Sequence, residues 1–100
     1  MADGEVLLMY RCPVCGFPSL DINPNTDLIE LLGSYEICSC CGTEFGLDVD
    51  GYNHEDVNTS IIQRRLEWIN TGHKWFSTYK KQPPDWDWRK ELHQIGVDVE

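Results

Sequence analysis

Five cysteines in a chain of 100 residues carry the sharpest chemistry in this sequence, and four of them fall into one pattern. Cys12-Pro13-Val14-Cys15-Gly16 is a C-x2-C-G unit, and Cys38-Ser39-Cys40-Cys41-Gly42 contains a second when Cys38 is taken with Cys41. Two-residue spacing lets both sulfurs of a pair reach one ion from a tight turn, whose backbone amides offset the negative charge on sulfur. The glycine after each pair occupies the position that most easily takes positive φ. Together the units predict a tetrahedral four-sulfur site with Cys12, Cys15, Cys38 and Cys41 as ligands. Pairing Cys38 with Cys40 instead would leave a single residue between ligands and lose the glycine in register. Cys40 is then either a bystander thiol or a redox-sensitive, exchangeable ligand.

Zinc is the expected ion, because it is redox-silent and suits a small structural site, but four thiolates also satisfy iron. The pattern therefore fixes the coordination better than the element. Four thiolates close the shell, whereas a catalytic zinc keeps a position open for water. An enzyme would need to release one cysteine and recruit His54 or Glu44, so no catalysis is expected. His73 and His93 stand without a paired nucleophile or ligand motif, and there is no phosphate loop, HExxH or serine elbow. Asp48-Val49-Asp50-Gly51 resembles part of a calcium loop, but Gly46 and Val57 fall where its first and last ligands belong.

The formal charge of −9 is unevenly spread. Residues 1–50 contain nine acids against the single base Arg11, whereas residues 51–100 contain eight acids and seven bases. Four thiolates around a divalent cation add about −2 more. Such a field repels phosphate backbones, so a nucleic-acid-binding ribbon is disfavoured, and Lys74, Lys80 and Lys81 read as solvated surface. The apolar fraction of 41% and charged fraction of 25% describe an ordinary globular chain. The acidic start and the short apolar run Val6–Tyr10 match neither a signal peptide nor a membrane span. The expected compartment is cytoplasmic, where clustered cysteines point to metal rather than to disulfides. Asn58-Thr59-Ser60 is a glycosylation acceptor pattern without that context.

A small α+β fold is expected to position the site: a zinc ribbon over residues 6–46 and a helical extension over 56–96, in a single domain of residues 1–100. Val6–Tyr10 reads as a strand entering Cys12, and Tyr35-Glu36-Ile37 as a strand entering Cys38. Asp27–Leu32 fits either a strand or one helical turn, with Gly33-Ser34 breaking it. The spacing predicts a helix over about 60–70, with Ser60 and Gln63 in capping-box register and Asp56 as an earlier alternative start. Ile61, Ile62, Leu66, Trp68 and Ile69 would form its apolar face, and Gly72 would end it. A second helix is predicted over about 86–95, capped by Asp85 and ended by Gly96. Tyr10, Phe17, Tyr35 and Phe45 flank the knuckles and are expected to shield the sulfurs. Trp68 and Trp88 read as core that ties the helices to the ribbon, whereas Trp75 and Trp86 fit core or a partner-binding surface equally.

Tyr10-Arg11-Cys12-Pro13-Val14-Cys15-Gly16-Phe17, with Gly33-Ser34-Tyr35-Glu36-Ile37-Cys38 and Cys41-Gly42, resembles the cysteine-rich CPCC family of small bacterial proteins. Gly72–Phe76 and Pro84–Asp87 are similar to C-terminal extensions in some related proteins. The resemblance implies a zinc ribbon with rubredoxin-like knuckles and carries the ligand role onto Cys12, Cys15, Cys38 and Cys41. Val14 and Ser39-Cys40 depart from the family pattern without removing a ligand. The function expected is a structural zinc-binding module that acts through a protein partner, with no small-molecule substrate and no membrane. A rubredoxin-like iron electron carrier is the alternative.

Overall fold

The computed structural model describes residues 9–25 and 28–99. Its elements are β1 (Tyr10–Arg11), β2 (Pro18–Leu20), α1 (Leu28–Ser34), α2 (His54–Asn70) and α3 (Trp88–His93). β1 and β2 form a two-stranded antiparallel sheet, with Tyr10 opposite Leu20, Arg11 opposite Pro18 and an irregularity between. The hairpin they make encloses the first knuckle. The result is a small α+β fold in which the helices pack on a cysteine cluster.

Residues 6–8 of the expected first strand lie outside the described residues. The strand expected at Tyr35–Ile37 shrinks to one bridge, Ile37 opposite Glu44. Its shortening has a local cause: Tyr35 sits at φ 56, outside the extended region. Leu28–Ser34 is a helix and not a strand, burying Leu28, Leu31 and Leu32, and Gly33-Ser34 lie within it. The side chain of Ser34 donates to the Leu31 carbonyl at 2.6 Å, which helps close the last turn.

α2 begins six residues before the predicted start. Asn53 is its cap, with Oδ1 accepting the Asp56 N–H at 2.8 Å, and Glu55 and Asp56 in the first turn complement the helix dipole. Beyond Thr71, the N–H of Gly72 bonds the Ile69 carbonyl and that of His73 bonds the Trp68 carbonyl, the double closure of a Schellman motif. α3 is shorter than predicted and is capped by Asp87, which accepts from the Arg89 N–H, instead of by Asp85. Gly96 follows it with the same double closure, to His93 and from Val97 to Leu92. No helix among the described residues is long and apolar enough to cross a membrane.

The buried face of α2 matches the predicted one only in part. Val57, Ile61 and Trp68 are buried, while Ile62 and Leu66 face solvent. The buried cluster joins these residues to Leu20, Leu31, Phe45, Val49 and all five cysteines. Burying a side chain the size of Phe45 contributes about 2–3 kcal/mol. Trp68 is buried, and Trp75, Trp86 and Trp88 are half-buried against the same cluster. Trp75 meets Phe17 edge-on at 5.0 Å and Trp86 at 5.8 Å, so both indoles belong to the packing. His73 stacks on Trp88 at 3.9 Å.

Candidate metal centre

Both knuckles are built by the same two backbone bonds. In the first, the Cys12 N–H reaches the Phe17 carbonyl at 2.9 Å and the Gly16 N–H the Cys12 carbonyl at 2.8 Å. In the second, Cys38 bonds Thr43 at 3.0 Å and Gly42 bonds Cys38 at 2.9 Å. The glycines stand at φ 89 and 76, where a side chain is strained. Each is also covered by the C-terminal half. A Cβ on Gly16 would lie 1.9 Å from the Glu91 carbonyl oxygen of α3, and one on Gly42 would lie 2.4 Å from the Phe76 ring.

These turns bring the sulfurs of Cys12, Cys15, Cys38 and Cys41 within 4.8 Å of one another, all four buried. Cys12 Sγ lies 3.8 Å from Cys41 Sγ, and Cys15 Sγ lies 3.6 Å from Cys38 Sγ. A tetrahedron with metal–sulfur bonds of about 2.3 Å has edges of about 3.8 Å, so the donor set fits a zinc- or iron-sized ion. Cys40 is fully buried beside this group but outside it.

The sulfurs have polar company. The Val14 N–H points at Cys12 Sγ from 3.4 Å, and the Ser19 hydroxyl donates to Cys38 Sγ at 3.0 Å. Thr43 Oγ1 lies 3.1 Å from Cys41 Sγ, and to a thiolate it is the hydroxyl that donates. Without a cation, burial pushes the Cys12 and Cys15 thiols well above the ordinary thiol range. Hydrogen bonds from Cys12, Cys15 and Cys41, with Ser19 adding to them, hold Cys38 well below it.

Two functional residues escaped the sequence reading. Arg65 reaches from α2 to the first knuckle, where its Nε donates to the Val14 carbonyl at 2.9 Å and its Nη2 to the Pro13 carbonyl at 2.7 Å. Arg64 turns to the second, donating from Nη2 to the Cys41 carbonyl at 2.9 Å. Burial lowers Arg65 from its ordinary value, and the charges of Cys12 and Cys15 act against that. A guanidinium nonetheless stays charged, so two fixed positive charges stand beside the sulfur cluster. The signal available in sequence was the first pair of bases after a run, residues 12–63, that has none.

Of the aromatics expected to shield the sulfurs, Phe45 is buried and Phe17 partly so, but Tyr10 and Tyr35 are exposed. His54 is the exposed first residue of α2, Glu44 is half-buried in the Ile37 bridge, and neither belongs to the sulfur group. His93 is exposed and pairs with Asp98 at 2.6 Å.

Sheet, helices and cysteine cluster together define a small α+β protein of zinc-ribbon-like architecture with a site able to hold a metal ion. Among curated proteins, the uncharacterized protein YozI of Bacillus subtilis (strain 168) is 30% identical to it over 78 residues. The match takes in 66% of this chain and 61% of YozI, so the chain spans less than two thirds of that relative's length. No family model matches the chain, and no solved structure matches it.

Proposed function

We propose that the chain is a structural zinc module of the cytoplasm, with Cys12, Cys15, Cys38 and Cys41 as ligands, that works through contact with a protein partner and catalyses nothing itself. The observation that carries this reading is the set of four buried sulfurs within 4.8 Å of one another in two matched turns, with two cross-knuckle pairs at tetrahedral-edge distance. Four thiolates leave no coordination position for water, which supports a structural ion over a catalytic one. Hydroxyl and amide donors on three of the sulfurs, and two arginines beside them, offset the excess negative charge of such a centre. The turns also support the likeness to the CPCC family and its rubredoxin-like knuckles.

Native mass spectrometry with elemental analysis, on protein purified without added metal, tests the reading. One zinc per chain, kept by Cys40→Ser and lost by serine at any of the four, is the expected result. Loss of the ion with Cys40→Ser would overturn the ligand register. Iron with a reversible visible spectrum would replace the structural reading with one-electron transfer. A chain that takes up no metal would sink the proposal.

A further inference from the structure

Residues 12–63 contain nine acids and no lysine or arginine, and the two arginines that follow turn inward to the knuckles. Within this acidic stretch three large apolar side chains are turned outward around one small loop. Tyr35 is 59% exposed, Ile37 49% and Leu47 69%. They are neighbours in space. Ile37 is bridged to Glu44, the Leu47 N–H bonds the Glu44 carbonyl at 3.1 Å, and Tyr35 Cε1 lies 3.2 Å from where a Cβ on Gly46 would stand. Tyr35 is held at φ 56, a conformation uncommon for a bulky residue, although its ring is not buried. Glu36, Glu44 and Asp48 interleave with the three apolar residues in sequence; Glu36 Oε1 accepts the Asp21 N–H at 2.6 Å and Asp48 Oδ2 the Glu44 N–H at 2.9 Å, which leaves each carboxylate its second oxygen.

An exposed tyrosine with two aliphatic neighbours and a carboxylate rim has the make-up of a recognition surface: apolar anchors at the centre and charge around them. We infer that the Tyr35–Ile37–Leu47 face docks a basic amphipathic segment of a partner protein, with apolar side chains seated on the three residues and Lys or Arg against Glu36, Glu44 and Asp48. This rests on the protein-contact reading above and gives it a place and a partner chemistry. A second copy of the chain fits this face poorly, because it would set one acidic rim against another.

The probe is a dye-labelled helical peptide of leucine and lysine at amphipathic spacing, with a leucine–glutamate twin, titrated by fluorescence anisotropy into the full metal-loaded chain. The lysine peptide should bind, weaken as salt is raised, and outbind its twin by about tenfold or more. Ile37→Ser with Leu47→Ser should weaken it by about tenfold, and Glu44→Gln by about threefold. Leu66→Ser and Tyr79→Ser, on exposed residues elsewhere, should change little. Metal content measured on each variant shows that the fold is kept, and Glu44→Gln provides a change that leaves the apolar residues in place. Equal binding of the two peptides, no binding of either, or full binding by the Ile37/Leu47 variant would overturn the inference. Loss with Leu66 or Tyr79 variants instead would move the contact elsewhere, leaving the protein-contact reading standing. Concentration-dependent dimerisation abolished by the Ile37/Leu47 change would assign the face to a second copy and overturn the partner named here. A metal-free chain, by contrast, would defeat the zinc reading whatever the peptide does.

Discussion

The two knuckles share a backbone and differ in most of what touches it. Both close with the same pair of hydrogen bonds and the same positive-φ glycine. The first, however, is held from outside: Arg65 ties down two of its carbonyls, the α3 backbone lies against Gly16, and Arg11 bonds the Gly16 carbonyl as well as Glu91 of α3. The second has hydroxyls on its sulfurs, Thr43 from its own turn and Ser19 from β2, and receives one arginine bond and the half-exposed Phe76 ring. The segment around Phe76 also lies along it, with the Phe76 and Ser77 N–H groups bonding the Cys40 and Ser39 carbonyls at 2.9 Å. A symmetric four-sulfur site can thus be supported asymmetrically, with two ribbon hydroxyls on the sulfurs of one half and, on the other, one backbone amide and an arginine from a helix more than fifty residues away in sequence.

The comparison breaks most completely when the ion is removed, because both halves depend on it. Chelation should cost on the order of 10 kcal/mol, enough to unfold a chain of this size, and circular dichroism with melting would show it. Acid does the same by returning protons to the four thiolates that the ion holds deprotonated, so zinc occupancy should fall on acidification. As free thiols the cysteines pull in opposite directions. Burial raises Cys12 and Cys15, so their contribution is full at low pH and is lost as pH climbs above the ordinary thiol range. Hydrogen bonding lowers Cys38, so its contribution is present at high pH and is lost as pH falls through its folded value. Zinc content and circular dichroism followed together on acidification check the dependence on the ion: a fold that outlasts the loss of zinc would show that the knuckles stand without it.

The glycines give the next largest contrast. Gly16→Ala adds a Cβ against backbone that cannot turn aside, in addition to positive-φ strain, and should cost about 3 kcal/mol or more. Gly42→Ala carries the same kind of strain, but the Phe76 ring it meets is 56% exposed and can swing away, so about 1–2 kcal/mol is expected. Urea unfolding of the zinc-loaded variants would rank them, and equal losses would show that α3 is not anchored on the first knuckle.

The knuckles were legible in sequence because their information is local: cysteine spacing and a following glycine determine a turn whatever surrounds it. The ends of α2 and α3 were partly legible for the same reason, Gly72 and Gly96 acting within their own turns. The face of α2 was legible in part. Ile61 and Trp68 are buried as the periodicity predicts and Ile69 packs against the core, but Ile62 and Leu66 face outward, and the inward line continues to Val57 with Arg64 and Arg65 beside it. What decides between these faces is the set of knuckle carbonyls that need donors, and they come from another part of the chain. Tyr35 failed as a strand residue because αL geometry is set by the packing of its loop, and tyrosine carries no turn signature.

Those arginines give the third contrast. Arg65→Met leaves the Pro13 and Val14 carbonyls without their donor and removes a charge beside Cys12 and Cys15, and should cost about 2–3 kcal/mol. Arg64→Met should cost only about 1 kcal/mol: it loses the bond to the Cys41 carbonyl and a pair with the largely exposed Glu67 that is worth little, while relieving a buried Nε that has no partner among the described residues. Both should speed zinc transfer to a competing chelator, Arg65→Met the more. A reversed order would place the greater electrostatic dependence on the second knuckle.

The hydroxyls give the smallest and most specific contrast, since among the described residues only the second knuckle's sulfurs accept them. Ser19→Ala removes the donor to Cys38, and Thr43→Val removes the one to Cys41 with shape nearly kept. Each should weaken zinc retention by about 1 kcal/mol, roughly fivefold in a chelator competition. Because they act on different sulfurs of one ion, the double variant tests whether the charge is shared. Simple addition, to about 2 kcal/mol, means that each hydroxyl serves its own sulfur. A double loss well above the sum means that either donor compensates when the other is missing. In that case the ribbon's own polar groups act as one set, and Arg65 on the far side does for the first knuckle what two hydroxyls do jointly for the second.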